Sequence, residues 1–329
     1  MNIPRLGVGP MSIDIARIVC SYSIEMDQPL MIIASRNQVD HQGGYVCTTD
    51  DLSRIVRESG ATDIMLCRDH CGPYFKDSDA NLDIVSAMEC SIKTIDEDID
   101  RGFNLIHIDV GRILTDREKH ASTLINHAIS RKPDIILEYG SEDNIGKSCA
   151  VESFANDLEF LRQFKKNVRF VVAQTGSLVK DQQVGEFDID SVKRLSALAH
   201  EHGYLFKEHN SDYLSSIEIS RRFAAGVDAM NIAPQLGTAQ TEIVRAHAME
   251  NGLEKLWESF VEVVVSGKKW SKWISQESYD PDQLAVIAGH YHQQSPIMQT
   301  IVSTNHKSYI KNLSNKVYDI LDTYLERQR

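Results

Sequence analysis

Residues 66–73 read LCRDHCGP. An apolar run ends in Asp69 and His70 and is broken at once by Gly72 and Pro73. A charged pair at the end of a buried strand is costly unless something uses it. The plain alternatives are that Asp69 caps the following loop and that His70 is a core histidine with a satisfied ring. Elsewhere Glu138 ends another apolar run just before GSED, and His209 sits in KEHNSD, residues 207–212. His70, Glu138 and His209 are the ligand types that a divalent transition metal takes. In HIDV, His107 and Asp109 share one face by the two-residue period of a strand, and His107 there reads as structural. SRNQVDHQGGY (35–45), Gln174 with Thr175, and Asn231 follow further apolar runs. Lys207 has a Schiff-base alternative, which the adjacent Glu208 disfavours by raising its pKa.

These groups need elements that bring them together. Short apolar, β-branched runs recur at 5–9, 30–35, 62–67, 105–109, 135–139, 168–173, 204–207 and 228–232. Helical patterns lie between them. Ile84, Met88, Ile92, Ile95 and Ile99 repeat at spacings of three and four. Val192, Leu195, Leu198 and Ala199 do the same, and His202-Gly203 supplies a stop. Near-continuously apolar strands alternating with helices predict a parallel sheet covered on both faces. Eight such strands close an α/β (β/α)8 TIM barrel, whose chemistry sits at the C-terminal strand ends. An open doubly wound sheet would want a glycine-rich fingerprint after the first strand, and Gly7-Val8-Gly9-Pro10 is a poor match. Beyond residue 238 the pattern is helical, with a polar loop near 275–282. The expected division is a barrel core over 1–240 and a helical C-terminal extension over 241–329.

The 329 residues are 42% hydrophobic and 25% charged, with net charge −12, which argues against nucleic acid or an anionic membrane as main partner. No apolar run reaches ~18 residues, and the N-terminus lacks a signal-peptide core, so a cytoplasmic protein is expected. The six cysteines are scattered as in reduced thiols. Trp270, Trp273 and GHYHQQSP (289–296) mark the tail as either a partner surface or simple packing. His290 and His292, two apart, read first as exposed side chains rather than a second metal site.

ASRNQVDHQGGY, then DHCGP, then GFNLIHIDV, resembles the class II tagatose-bisphosphate aldolase subunits usually called non-catalytic, and the related sugar-phosphate 4-epimerases. The order and spacing match from about residue 4 to residue 240. The resemblance implies Asp69 as acid/base catalyst, with Glu138 beside it. It implies His70 and His209 as metal ligands, with Glu138 or Gln174 as the third. Zn²⁺ is the expected ion, with Mn²⁺ or Co²⁺ as alternatives. Arg36, Asn37, Gln38, Asp40, Asp109, Gln174 and Asn231 are the expected substrate-binding residues. The implied reaction is cleavage or 4-epimerisation of a ketose or ketose phosphate through a metal-stabilised enediolate. A homo-oligomer is expected. The alternative is a stabilising subunit of a separate catalytic aldolase. The chain departs from the family in lacking a histidine after strand six and in carrying Asn210-Ser211-Asp212 where a glycine-rich loop is expected. Its last strand continues Ile232-Ala233-Pro234 without the usual threonine.

Overall fold

The structure, a computed structural model, describes residues 3–141, 148–185, 187–274 and 279–326. Glu142 and Asp143 of GSED, and residues 275–278 of the expected polar loop, lie outside them. In chain order the strands are β1 (Leu6–Val8), β2 (Leu30–Ser35), β3 (Val39–Asp40), β4 (Cys47–Thr48), β5 (Ile64–Cys71), β6 (Leu105–Asp109), β7 (Ile136–Gly140), β8 (Val168–Val172), β9 (Leu205–Glu208) and β10 (Ala229–Ile232). Eight of them close an all-parallel barrel in the order β1-β10-β9-β8-β7-β6-β5-β2, while β3 and β4 pair separately within the loop after β2.

All eight expected barrel strands are present, with one instructive difference. The third was expected to stop at Cys67 and runs on to Cys71, so Asp69 and His70 lie within it. Asp69 stays in register with Ser35 of β2, and the pairing with β6 shifts between Arg68 and Cys71. His70 adopts a left-handed φ of 48° at that irregularity, a conformation a β strand does not use and a bulge does. Gly72 explains the break that follows: a Cβ there would stand 1.6 Å from the Asp109 carbonyl oxygen.

Alternation sorts the strands into layers. Met31, Ile33, Met65, Cys67, Leu105, Phe170 and Ala229 form an apolar plug inside the barrel. The next inward positions towards the C-terminal ends are Asp69, His107, Glu138 and Lys207, all inside the barrel rim. Outward-facing residues join the helices in a second core. Arg68 faces outward, fully buried, and makes a bidentate pair with Asp98 at 2.7 Å and bonds to the Ala34 and Val39 carbonyls.

The helices that cover the barrel follow from their caps and faces. α1 (Ile13–Glu25) is capped by Ser12, α2 (Thr49–Ser59) by a Thr48–Asp51 capping box, and α3 (Ile84–Asp100) by Asp83. α4 (Arg117–Arg131), α5 (Val151–Leu161), α6 (Ile189–Glu201) and α7 (Ser216–Ala224) complete the crossovers. α6 ends at His202 with Gly203 at φ 79°, as the sequence suggested. α8 (Pro234–Glu250) follows the last strand and runs through residue 240, so the proposed boundary falls inside a helix. α9 (Glu254–Gly267), α10 (Pro281–Ala288), α11 (Pro296–Ser303) and α12 (His306–Tyr324) form the extension, whose buried apolar residues join the same core as the barrel helices. Among the described residues, no helix is long and apolar enough to cross a membrane.

Candidate metal and substrate site

The C-terminal end of the barrel opens into a cavity of about 560 Å³, lined among others by Asn37, His70, His107, Asp109, Gln174 and His209. β5 brings Asp69 and His70, β6 brings His107 and Asp109, and His209 follows β9. One potential ligand atom from each of Asp69, His70, His107 and His209 lies within 4.8 Å of the others. Among the described residues this is the one group of three or more such side chains close enough to share an ion.

Each of two histidines has one ring nitrogen engaged by a carboxylate. His70 Nδ1 meets Asp109 Oδ2 at 2.6 Å, and His209 Nε2 meets Glu138 Oε1 at 2.7 Å. Their other nitrogens face Asp69, at 3.6 Å from His70 Nε2 and 3.8 Å from His209 Nδ1. His107 Nδ1 lies 3.3 Å from Asp69 and accepts the His70 backbone N–H. His107 Nε2 is buried without a hydrogen-bond partner, and a Cβ at Gly140 would stand 2.8 Å from it. Phe75 stacks on the His70 ring with centroids 5.1 Å apart.

The electrostatics follow from these contacts. Burial opposes ionisation of Asp69, but His70, His209 and His107 outweigh it and hold its carboxyl well below the usual range. Burial likewise opposes the charged form of His70, yet Asp69 and Asp109 raise its pKa to about 9. For His209 burial wins over Asp69 and Glu138, and its pKa falls. Burial works against the Glu138 carboxylate, and the Lys207 ammonium with His107 and His209 overrides it and keeps Glu138 ionised.

Several expected site residues stand elsewhere. Glu138, expected as catalyst and metal ligand, is outside the four-residue cluster: its Oε2 accepts from Lys207 and its Oε1 from His209, both at 2.7 Å. Of SRNQVD, only Ser35 and Asn37 line the cavity. Arg36 is buried against Asp79, Gln38 against the Ser35 amide and Met11, and Asp40 against Lys76 and His41. Buried polar side chains must be satisfied, and these three are spent on shaping the loop. Asn231 is 4% exposed, and neither atom of its carboxamide has a partner. Gly7 makes room for it, since a Cβ there would meet its oxygen at 2.2 Å. Glu208 points away from Lys207, accepting from Thr175, Ser177 and Arg222. The carboxylate that Lys207 meets is therefore that of Glu138.

Sequence reasoning gave His107 a structural role, although the alternation that places it beside Asp109 was the signal that it faces the site. Arg112, Lys180, Lys272 and Trp273 also line the cavity. The last two come from the extension, whose segment at 272–273 is held by Lys180 Nζ on the Lys272 carbonyl at 2.5 Å and Asp181 N–H on the Trp273 carbonyl at 2.7 Å. Nothing local in the sequence marks that return. His290 is not exposed as expected but buried among the rings of Trp273, Tyr45 and Tyr291. The far end of the chain reaches the site too. Tyr324 Oη on α12 donates to the Ser211 carbonyl at 2.6 Å and accepts the Leu214 N–H at 3.2 Å, pinning the loop that begins at His209.

The eight parallel strands and the cluster at their ends define a closed (β/α)8 barrel with a polar site at its C-terminal rim. Residues 11–132 match the family described as "D-tagatose-1,6-bisphosphate aldolase subunit GatZ/KbaZ-like", the relation that the sequence motifs point to. No curated protein matches the chain. Among solved structures, a "probable tagatose 6 phosphate kinase" from Sinorhizobium meliloti 1021 superposes with TM-score 0.80 at 19% identity, over 98% of this chain and 100% of that one. The fructuronate-tagaturonate epimerase UxaE from Cohnella laeviribosi gives 0.66 at 9%, covering 98% and 81%. The fructose-bisphosphate aldolase of Campylobacter jejuni gives 0.61 at 12%, covering 98% and 89%. At these identities the likeness is one of fold.

Proposed function

We propose that this chain is a metal-dependent enzyme that cleaves a ketose or ketose phosphate between C3 and C4, or inverts it at C4. The observation that carries the reading is the convergence of His70, His107 and His209, which line the cavity, with Asp69 beside them. The donor set suits Zn²⁺, Mn²⁺ or Co²⁺: three imidazoles, two of them buttressed by a carboxylate on the far nitrogen, which is how proteins orient metal-binding histidines. His70, His107 and His209 would hold the ion, which would supply Lewis acidity to a ketose carbonyl.

The chain's own groups do the rest. Asp69, kept ionised, takes the proton of the C4 hydroxyl as the C3–C4 bond breaks. The bond electrons pass to the fragment carrying the carbonyl, giving its enediolate, and the other fragment leaves as an aldehyde. Return of the proton from Asp69, with recombination on the opposite face of the aldehyde, gives the 4-epimer. Arg112, Lys180 and Lys272 along the cavity wall suit an anionic end group on the sugar. Asn37 and Gln174 offer amides for its hydroxyls.

The test is Asp69→Asn, assayed with ketoses and their phosphates. Turnover should vanish while the protein still binds about one divalent ion per chain. Full activity in the variant would remove Asp69 from the mechanism, and a wild type that takes up no divalent ion would remove the metal. A second reading, a stabilising subunit of another aldolase chain, is favoured by the family description over residues 11–132. Co-purification with a catalytic chain, together with no turnover by the isolated protein, would support it.

A further inference from the structure

Lys207 is 1% exposed and sits below the cavity, on the apolar plug of the barrel. Its ammonium lies 5.3 Å from the Phe170 ring centroid and 3.8 Å from Met31 Sδ, and among the described residues its one charged partner is Glu138 at 2.7 Å. Burying a lysine in such surroundings carries a large desolvation cost before pairing. A structural ion pair would be a weak return, since apolar residues of similar volume do as well. The position of this pair suggests what else it does. Glu138 Oε1 lies 2.7 Å from His209 Nε2 and 3.7 Å from His107 Nδ1, so the carboxylate is within a small rotation of the metal cluster.

We infer that Lys207 is a positioning residue: it holds Glu138 out of the metal's ligand set and makes it the acceptor that fixes His209. With an ionised carboxylate as acceptor, His209 carries its proton on Nε2. Its Nδ1 lone pair is then turned towards Asp69 and the other histidines. The chain of contacts runs Lys207 Nζ to Glu138 Oε2, then Glu138 Oε1 to His209 Nε2, then His209 Nδ1 to the cluster. Lys207 itself lines no part of the cavity, so its role passes through His209 and needs no contact with substrate. This rests on the proposed reading of the site as a metal centre, but its first consequence concerns the metal-free protein.

The experiment is side-chain ¹⁵N NMR of the histidines in the metal-free protein, followed by titration with Co²⁺ and Zn²⁺. In the wild type the His209 signals should be those of a fixed Nε2–H tautomer. In Lys207→Met they should change to a mixture or to the other tautomer, and metal affinity should fall about 10–100-fold. Glu138→Gln, which keeps the size of the side chain, serves if Lys207→Met fails to fold. One of the two oxygens that Lys207 and His209 now meet becomes a donating NH₂, so the side chain no longer accepts at both places, and the tautomer should loosen there too. A folded variant with the wild-type His209 signals and wild-type metal affinity would overturn the inference. A fixed tautomer in the wild type, lost in Lys207→Met, with no ion bound by either protein, would keep the role of Lys207 and remove the metal centre instead.

Discussion

At the residue scale, the site is built by small positions as much as by reactive ones. Gly140 lies opposite Asp109 in the β6–β7 pairing and leaves the space in which the His107 ring sits. Gly140→Ala should push His107 off its position, because a Cβ 2.8 Å from Nε2 is closer than real contacts allow. The expected result is a folded protein by circular dichroism with metal affinity lowered at least 10-fold, the order seen when a metal site's support is disturbed. Retention of wild-type affinity would take His107 out of the ligand set. Asp69, His70 and His209 could be picked from the sequence because each follows an apolar run. Arg36, Gln38 and Asp40 looked equally polar and equally well placed. Their side chains turn into the loop, and sequence alone does not say whether a polar side chain at a strand end faces the cavity or its own loop.

At the scale of elements, the strand ends decide most of the geometry and the helix ends decide the rest. The N-terminus of α8 follows the last strand, where an α/β barrel often keeps an anion-binding position. Here Asp212 Oδ1 already accepts from the Ala233 and Gln235 amides at 2.9 Å, so a protein carboxyl occupies that place. Asp212 Oδ2 has no partner. Burial, against the two amide bonds, raises the Asp212 pKa to about 7. The folded value lies above the unfolded one, so this group's contribution to stability is full at about pH 4 and below and is lost as pH rises to about 7. Asp212→Asn should abolish that slope. The stability gap between wild type and variant should change by a few kcal/mol between about pH 4 and 7 and stay level above it. Chemical denaturation across pH reads this directly, and parallel curves would show that Asp212 stays ionised. The barrel itself was legible, since eight apolar runs at regular spacing leave few other folds. The four extra residues of β5 were not, because a bulge at His70 lets a strand carry charge past the point where its apolar pattern stops.

At the scale of the whole molecule, the C-terminal extension is part of the site rather than an appendage. It brings Lys272 and Trp273 to the cavity wall and Tyr324 to the carbonyl of Ser211. Tyr22 on α1 also donates to Asp322 of α12 at 2.7 Å, so the last helix is tied to the helix after β1 as well as to the loop after β9. Tyr324→Phe removes one hydroxyl and leaves the Ser211 carbonyl and the Leu214 amide each short of a partner. It should cost about 1–3 kcal/mol in denaturant unfolding. It should also loosen the segment carrying His209, seen as faster amide exchange over residues 209–214. Exchange at the wild-type rate would mean that the loop is held from the barrel side alone. The sequence showed that helices follow residue 238 but not where they pack, because contacts spanning a hundred residues leave no local pattern.

The anchor of the His209 loop lies 113 positions further along the chain than the residue it holds. At the usual pace of about 5–20 residues per second, the ribosome needs roughly 6–23 s to make that span. During those seconds the barrel strands can pair, yet the loop has no hydroxyl to close on. The nascent chain therefore carries His209 on an unanchored loop, and the four-residue cluster takes its described geometry only after α12 has docked.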